Sequence, residues 1–159
     1  MKTIRDAYYK VRSWSVHTFM PLIHKNVHFG KGLKLTNSVI NYRGGELTIG
    51  DGFFMNRNGT INCHKRISIG KCCLMGENVH IYDHNHVFKE KNRAIASQGF
   101  KDKEVNIGDY CWIGTGVTIL GGVTIGDNVV IGANCLIYHD ITSNTVVKNK
   151  QHLLFEERM

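Results

Sequence analysis

Proline is almost missing from this chain: Pro21 is the only one in 159 residues. Chain reversals must come from other residues, and the 17 glycines, many of them in Gly-Asp and Asn-Gly pairs, are the available turn formers. Long apolar runs are also lacking. Lys2, Arg5, Asp6, Lys10 and Arg12 interrupt every apolar stretch near the N-terminus, which argues against a signal peptide or a membrane span there. The five cysteines, at 63, 72, 73, 111 and 135, have no ligand-type spacing. That argues against a thiolate metal cluster and a disulfide framework, and Cys111 and Cys135, at inward positions, are expected to be small buried hydrophobes in a reducing cytosol. Acidic residues are the scarcer charge, 13 against 20 lysines and arginines, for a net charge of +7.

What the chain does have is a period of six. Val105, Cys111, Val117, Val123, Val129 and Cys135 each stand two residues before Ile107, Ile113, Ile119, Ile125, Ile131 and Ile137, and Ile141 stands two before Ser143, where the apolar pattern breaks. Two apolar residues separated by one point to the same face of a short strand. The residues between the pairs are turn formers, such as Gly114-Thr115-Gly116 and Gly126-Asp127-Asn128. One strand and one turn every six residues make a solenoid, because a strand this short buries its apolar face only by stacking on neighbours. Traced backward, the inward positions run Phe29, Leu35, Asn41; Ile49, Met55, Ile61; and Ile69, Met75, Ile81. Together with the two later turns they predict five triangular coils in an all-β solenoid. Insertions after Gly44, after His64 and, at Asp83 to Glu104, after Ile81 all fall on one edge of the prism.

From about residue 27 to 147 the sequence resembles the left-handed β-helix hexapeptide acyltransferases, and within them the maltose and galactoside O-acetyltransferase-like enzymes. The segments that carry the resemblance are Val79-His-Ile-Tyr82 with the His-Asn-His that follows, Ile107-Gly-Asp-Tyr-Cys-Trp-Ile-Gly114, and Val123-Thr-Ile-Gly-Asp-Asn-Val-Val-Ile-Gly-Ala133. The left-handed sense of the coil, acetyl-CoA as co-substrate without a metal, a sugar or glycan acceptor and a homotrimer with a cleft between prisms are what the resemblance implies. The Asp83-His84-Asn85-His86 form of the loop resembles the surface-polysaccharide (capsule or O-antigen) branch.

A hydroxyl that attacks a thioester needs a base titrating near neutrality, and histidine is the side chain that does. The loop opening with Tyr82-Asp83 offers two, His84 and His86. By resemblance the family's catalytic histidine falls on His86, with His84 the runner-up. In the register His84 stands at the corner directly above His64, where the two are expected to pack together and His84 to hold the loop. The same comparison sets Asn56 on a substrate-binding asparagine, with Asp83 beside the acceptor. It sets His64 where galactoside enzymes carry a carboxylate, a departure that alters the acceptor. An equal expectation for Asn56 is that it satisfies its own turn. For the coenzyme, the resemblance implies Trp112 as a cleft wall, the Thr115 N–H facing the thioester oxygen, Ala133, and the Tyr138-His139 pair. Lys148 and Lys150 either meet the phosphates or form a solvated tail. Two family features are absent: a proline where this chain reads Gly121-Gly122, and a Gly-Asn-Pro-Ala type motif where it reads Lys148 to His152.

Of the net charge, +6 lies in residues 1–34. Ile4, Tyr8, Val11, Trp14 and Phe19 recur there at helical spacing, so residues 3–20 read as a basic amphipathic helix broken from the solenoid at Pro21. Such a helix caps the open end of a solenoid, which every β-solenoid requires, or contacts an anionic membrane surface. No nucleic-acid motif accompanies the charge. The chain thus divides into a helix and linker (1–26), the β-helix domain (27–147) and a tail (148–159). Its expected location is the cytoplasm, with or without a membrane contact. Two other readings share the solenoid: a γ-carbonic-anhydrase-like zinc lyase, for which His64, His80, His84 and His86 offer nitrogens without that family's ligand spacing, and a scaffold without catalysis.

Overall fold

In the computed structural model, which describes residues 19–150, the six-residue beat becomes a three-faced parallel β-helix. The first coil is β1 (Val27–Phe29), β2 (Lys34–Leu35) and β3 (Val39–Tyr42), and the second is β4 (Glu46–Ile49), β5 (Phe54–Met55) and β6 (Thr60–Cys63). The third is β7 (Arg66–Ile69), β8 (Leu74–Met75) and β9 (His80–Tyr82), after which β10 (His84–His86) and β11 (Phe100–Asp102) leave the prism. The fourth coil is β12 (Val105–Ile107), β13 (Trp112–Ile113) and β14 (Thr118–Ile119), and the fifth is β15 (Thr124–Ile125), β16 (Val130–Ile131) and β17 (Leu136–Ile137). Ile141 and β18 (Val146–Val147) begin a sixth. Face one stacks β1, β4, β7, β12 and β15; face two stacks β2, β5, β8, β13, β16 and β18; face three stacks β3, β6, β9, β14 and β17.

Every inward pair from Val105/Ile107 to Cys135/Ile137 is buried, and each column continues into Leu47, Ile49, Met55, Ile61, Ile67, Ile69, Met75 and Ile81. Each fully buried isoleucine or valine contributes about 1.5–3 kcal/mol, so the core is a set of stacked rungs. Two of the three edges turn by one left-handed residue per coil. Edge one, between faces one and two, uses Gly32, Gly52, Cys72, Tyr110, Asn128 and Asn144; edge two, between faces two and three, uses Asn37, Asn58, Asn78, Gly116 and Asn134. Glycine and asparagine accept that conformation at least cost. Edge three, between faces three and one, has no such uniformity, and the insertions enter there.

The registers differ from the expected ones at both ends. Asn41 is exposed, and Ile40 and Tyr42 take the inward places, pairing with Ile61 and Cys63. The first coil is one residue shorter before β3, which spares it the cost of burying an amide. At the other end Ile141 bridges Ile125, and Val147 pairs with Ile131, so the last coil is shortened between Ile137 and Ile141. Ser143 therefore sits on edge one, its Oγ accepting the Asp127 N–H at 2.9 Å. Pro21 lies within helical residues 19–23 and does not break the chain ahead of the solenoid. The rest of the basic helix and residues 151–159 of the tail lie outside the described residues.

Candidate active site

Edge three is built around a buried carboxylate. Asp83 follows β9 and is completely shielded from solvent. Its oxygens accept the backbone N–H groups of His64 (2.9 Å), Lys65 (2.7 Å) and Arg66 (2.9 Å), which fixes the corner of the second coil. These are charge-assisted bonds, the strong kind. The expected contact between Asp83 and the acceptor is corrected accordingly: the carboxylate is shielded and already occupied, and it positions its neighbours. One oxygen also lies 3.2 Å from Nδ1 of His84.

The His-Asn-His segment is a strand, not a loop. β10 pairs antiparallel with β11, setting His84 opposite Asp102, Asn85 opposite Lys101 and His86 opposite Phe100. By the strand alternation, positions 84, 86, 100 and 102 share one side of this hairpin. The His84 ring stacks on His64, with centroids 3.5 Å apart and planes within 5°, as the sequence led us to expect. Nδ1 of His64 lies 3.6 Å from Oδ1 of Asp102. Burial, with the charge of His84 adding to it, pulls the His64 pKa below its ordinary value. Phe100 stands at the centre, edge-on to His64 at 4.7 Å and to His84 at 5.3 Å, and tilted against His86 at 4.5 Å. The Arg43 guanidinium lies 6.0 Å from the same ring.

Arg43, His64, His84, His86 and Phe100, with Ile40, Asn41, Tyr42 and Asn62, line a groove of about 600 Å³. Its two loop histidines are presented differently. His84 is largely covered and tied to Asp83, whereas His86 is exposed and its ring makes no hydrogen bond among the described residues. His86 thus offers an open nitrogen to the groove. Thiol chemistry is disfavoured nearby, since burial pushes the Cys63 thiol up to about 12. Among the described residues no cluster of three or more His, Cys, Asp or Glu is arranged to hold a metal ion.

The remaining expected residues lie elsewhere. Asn56 is on edge two, and its Oδ1 accepts the N–H of Arg57 at 2.9 Å, so it satisfies its own turn. Thr115 and Ala133 occupy the same edge in successive coils, where Asn134 N–H donates to Thr115 C=O at 2.8 Å. Lys148 and Lys150, both exposed, flank Asn149, whose amide reaches Asn134 C=O at 2.7 Å. Trp112 projects from face two, 55% exposed, between Leu74 and Val130. Tyr138 and His139 pack together at 4.3 Å on edge three, beyond the groove. One prism therefore gathers His64, Asp83, His84 and His86 on edge three, and it sets Asn56, Thr115, Ala133 and the lysines on edge two. Sequence reasoning did not single out Arg43, Phe100 or Asp102. The available signal was Phe100-Lys101-Asp102, which alternates in the manner of His84-Asn85-His86.

Residues 104–139 match the family model described as bacterial transferase hexapeptide (six repeats). That stretch is a run of hexapeptide repeats. Such repeats wind as a left-handed β-helix, the fold class seen here. The hexapeptide chain is similar to the galactoside O-acetyltransferase of Lactococcus lactis, 36% identical over 106 residues that make up 67% of this chain and 50% of that protein. Among solved structures it is similar to a maltose O-acetyltransferase from Clostridium difficile, at 31% identity and a TM-score of 0.55, covering 77% of this chain and 62% of that one. It is similar also to a galactoside acetyltransferase in complex with coenzyme A, at 26% identity and a TM-score of 0.59, covering 89% and 74%. The chain spans about half the length of the curated relatives it matches.

Proposed function

We propose that this protein is an acetyl-CoA-dependent O-acetyltransferase that moves an acetyl group to a hydroxyl of a sugar or polysaccharide precursor, with His86 as general base. The observation that carries the proposal is the open His86 imidazole, set in a polar groove on the inserted edge of a hexapeptide β-helix whose relatives are acetyltransferases. His86 takes the proton of the acceptor hydroxyl as its oxygen attacks. A well-placed base of this kind is worth about 10²–10⁴ in rate. His84, held by Asp83 and stacked on His64, keeps β10 in place. Acetyl-CoA supplies the activated acetyl group and the thiol leaving group.

Edge two suits the coenzyme. The N–H groups of Thr115 and Ala133 donate to no acceptor among the described residues, Trp112 stands beside them, and Lys148 and Lys150 follow. A free N–H aimed at a thioester oxygen stabilises the negative charge that develops there, an effect of about 10²–10³ in turnover. Yet edge two and the groove are on different edges of one prism, and Trp112 projects from the face opposite edge three. A site using both needs a second copy. Face two provides the contact: Leu74, Trp112 and Val146 are 46%, 55% and 60% exposed along one column, with Phe54 next to Leu74 and Val130 between Trp112 and Val146. Exposed apolar columns of this kind mark association surfaces. We therefore include a homotrimer with clefts between prisms, working in the cytoplasm on a surface-polysaccharide precursor, its basic N-terminus capping the helix or touching the membrane.

The test is coenzyme A release from acetyl-CoA by the purified protein over a panel of sugars. Saturable, sugar-dependent release is expected. Failure to bind acetyl-CoA in calorimetry, or zinc-dependent hydration of carbon dioxide, contradicts the proposal.

A further inference from the structure

We propose that the acceptor carries an oxyanion, a carboxylate or a phosphate, and that the guanidinium of Arg43 binds it at the mouth of the groove beside His86. The inference rests on the reading of this groove as the acceptor site and deepens it.

Arg43 differs from the other described arginines. Arg57 pairs with Glu77 at 3.1 Å, Arg66 with Glu46 at 3.7 Å and Glu104 at 3.9 Å, and Arg93 with Glu90 at 3.2 Å. Among the described residues Arg43 has no carboxylate partner; its guanidinium lies over the Phe100 ring, 6.0 Å from the centroid. That placement belongs to the groove, because the same ring is tilted against His86, 4.5 Å away. The guanidinium and the open imidazole thus share one aromatic neighbour. An acceptor held by the first brings its hydroxyls to the second.

The groove also has no anion of its own to spare. Neither Asp83 nor Asp102 is among its lining residues; Asp83 is committed to three backbone N–H groups and Asp102 faces His64. The remaining polar lining consists of amides, Tyr42 and histidines, so the cation meets no internal competitor. Its charge is felt inside the site, where it adds to burial and to the charge of His84 in lowering the His64 pKa. Arg43 directly follows β3, the outermost strand of face three, and among the described residues no further strand stacks beyond it. A planar guanidinium whose orientation is set by an aromatic ring is suited to bidentate binding of carboxylate or phosphate. It is wasted on a neutral glycoside.

Three probes decide the matter: methyl glucoside, methyl glucuronoside and glucose 1-phosphate, each measured for calorimetric affinity and for coenzyme A release with wild type, Arg43→Gln and Arg43→Lys. One charge-assisted contact predicts that at least one anionic probe binds about 10- to 100-fold tighter than the neutral one. The two anionic arms tell carboxylate from phosphate. Arg43→Gln should bring the anionic-to-neutral ratio close to one, and Arg43→Lys should restore part of it. Binding of the anionic probe should also raise the titration midpoint of the His64 imidazole, read by NMR, which the neutral probe should not do. Acetylation of methyl glucoside with no preference for either anion would overturn this inference and leave acetyl transfer standing. Arginine-dependent anion binding without any coenzyme A release would do the reverse.

Discussion

At position 64 an imidazole lies flat against another imidazole and has lost the water that would solvate its charge. Its folded pKa is below the ordinary value, so between the two pKa values the unfolded chain binds more protons than the folded one. The stabilising contribution is therefore complete above the unfolded value of about 6.5 and is lost as pH falls toward the folded one. Thermal melts at about pH 7.5 and pH 5.5 should show wild type losing more stability on acidification than His64→Gln. Asp83 carries a larger share. Asp83→Ala leaves three part-buried N–H groups without this acceptor and should cost about 3 kcal/mol in a denaturant titration, with Asp83→Asn costing less. His86→Ala should cut turnover by about 10² or more while coenzyme A affinity stays near that of wild type, because the base acts in the transition state. His84→Ala should lose less turnover and more stability, since its ring is the packed one. The stacking of His84 on His64 was legible in the sequence. What was not legible was the division of labour around Asp83, because a buried carboxylate and an acceptor-facing one look alike in sequence.

Among the elements, regular edges were the readable part. Five coils and their inward rungs follow from period alone, since any slip would turn an isoleucine outward. The first and last coils misled by one and two residues because Asn41 and Ser143 kept the count of six while the structure kept apolar packing. The hairpin of β10 and β11 was hidden for a related reason: thirteen residues separate its strands, and neither carries the six-residue beat. Edge one supports a further expectation. Cys72 adopts the left-handed conformation (φ 55°) that Gly32 and Gly52 hold in the coils before it. Cys72→Gly should relieve that strain and raise stability by roughly 0.5–1 kcal/mol, seen as a higher denaturation midpoint. An unchanged or lower midpoint would show that the exposed thiol side chain contributes packing that offsets the backbone cost.

At the scale of the whole molecule, the separation of the two residue sets is the decisive geometric fact. Edge three bears the histidines; edge two and face two bear the groups suited to a coenzyme. The proposed association through the apolar column of face two would join them, and on that proposal Trp112→Lys should shift the protein toward monomer in light scattering and abolish turnover with it. The most direct measurement of the central claim uses two variants that are each inactive alone, His86→Ala and Trp112→Ala, refolded together in equal amounts. If acetyl transfer takes place in a cleft built from His86 of one prism and Trp112 of the next, every mixed trimer regains one intact cleft, and coenzyme A release should return to about a quarter of the wild-type rate. Release no greater than the mean of the two variants measured separately would contradict a shared cleft.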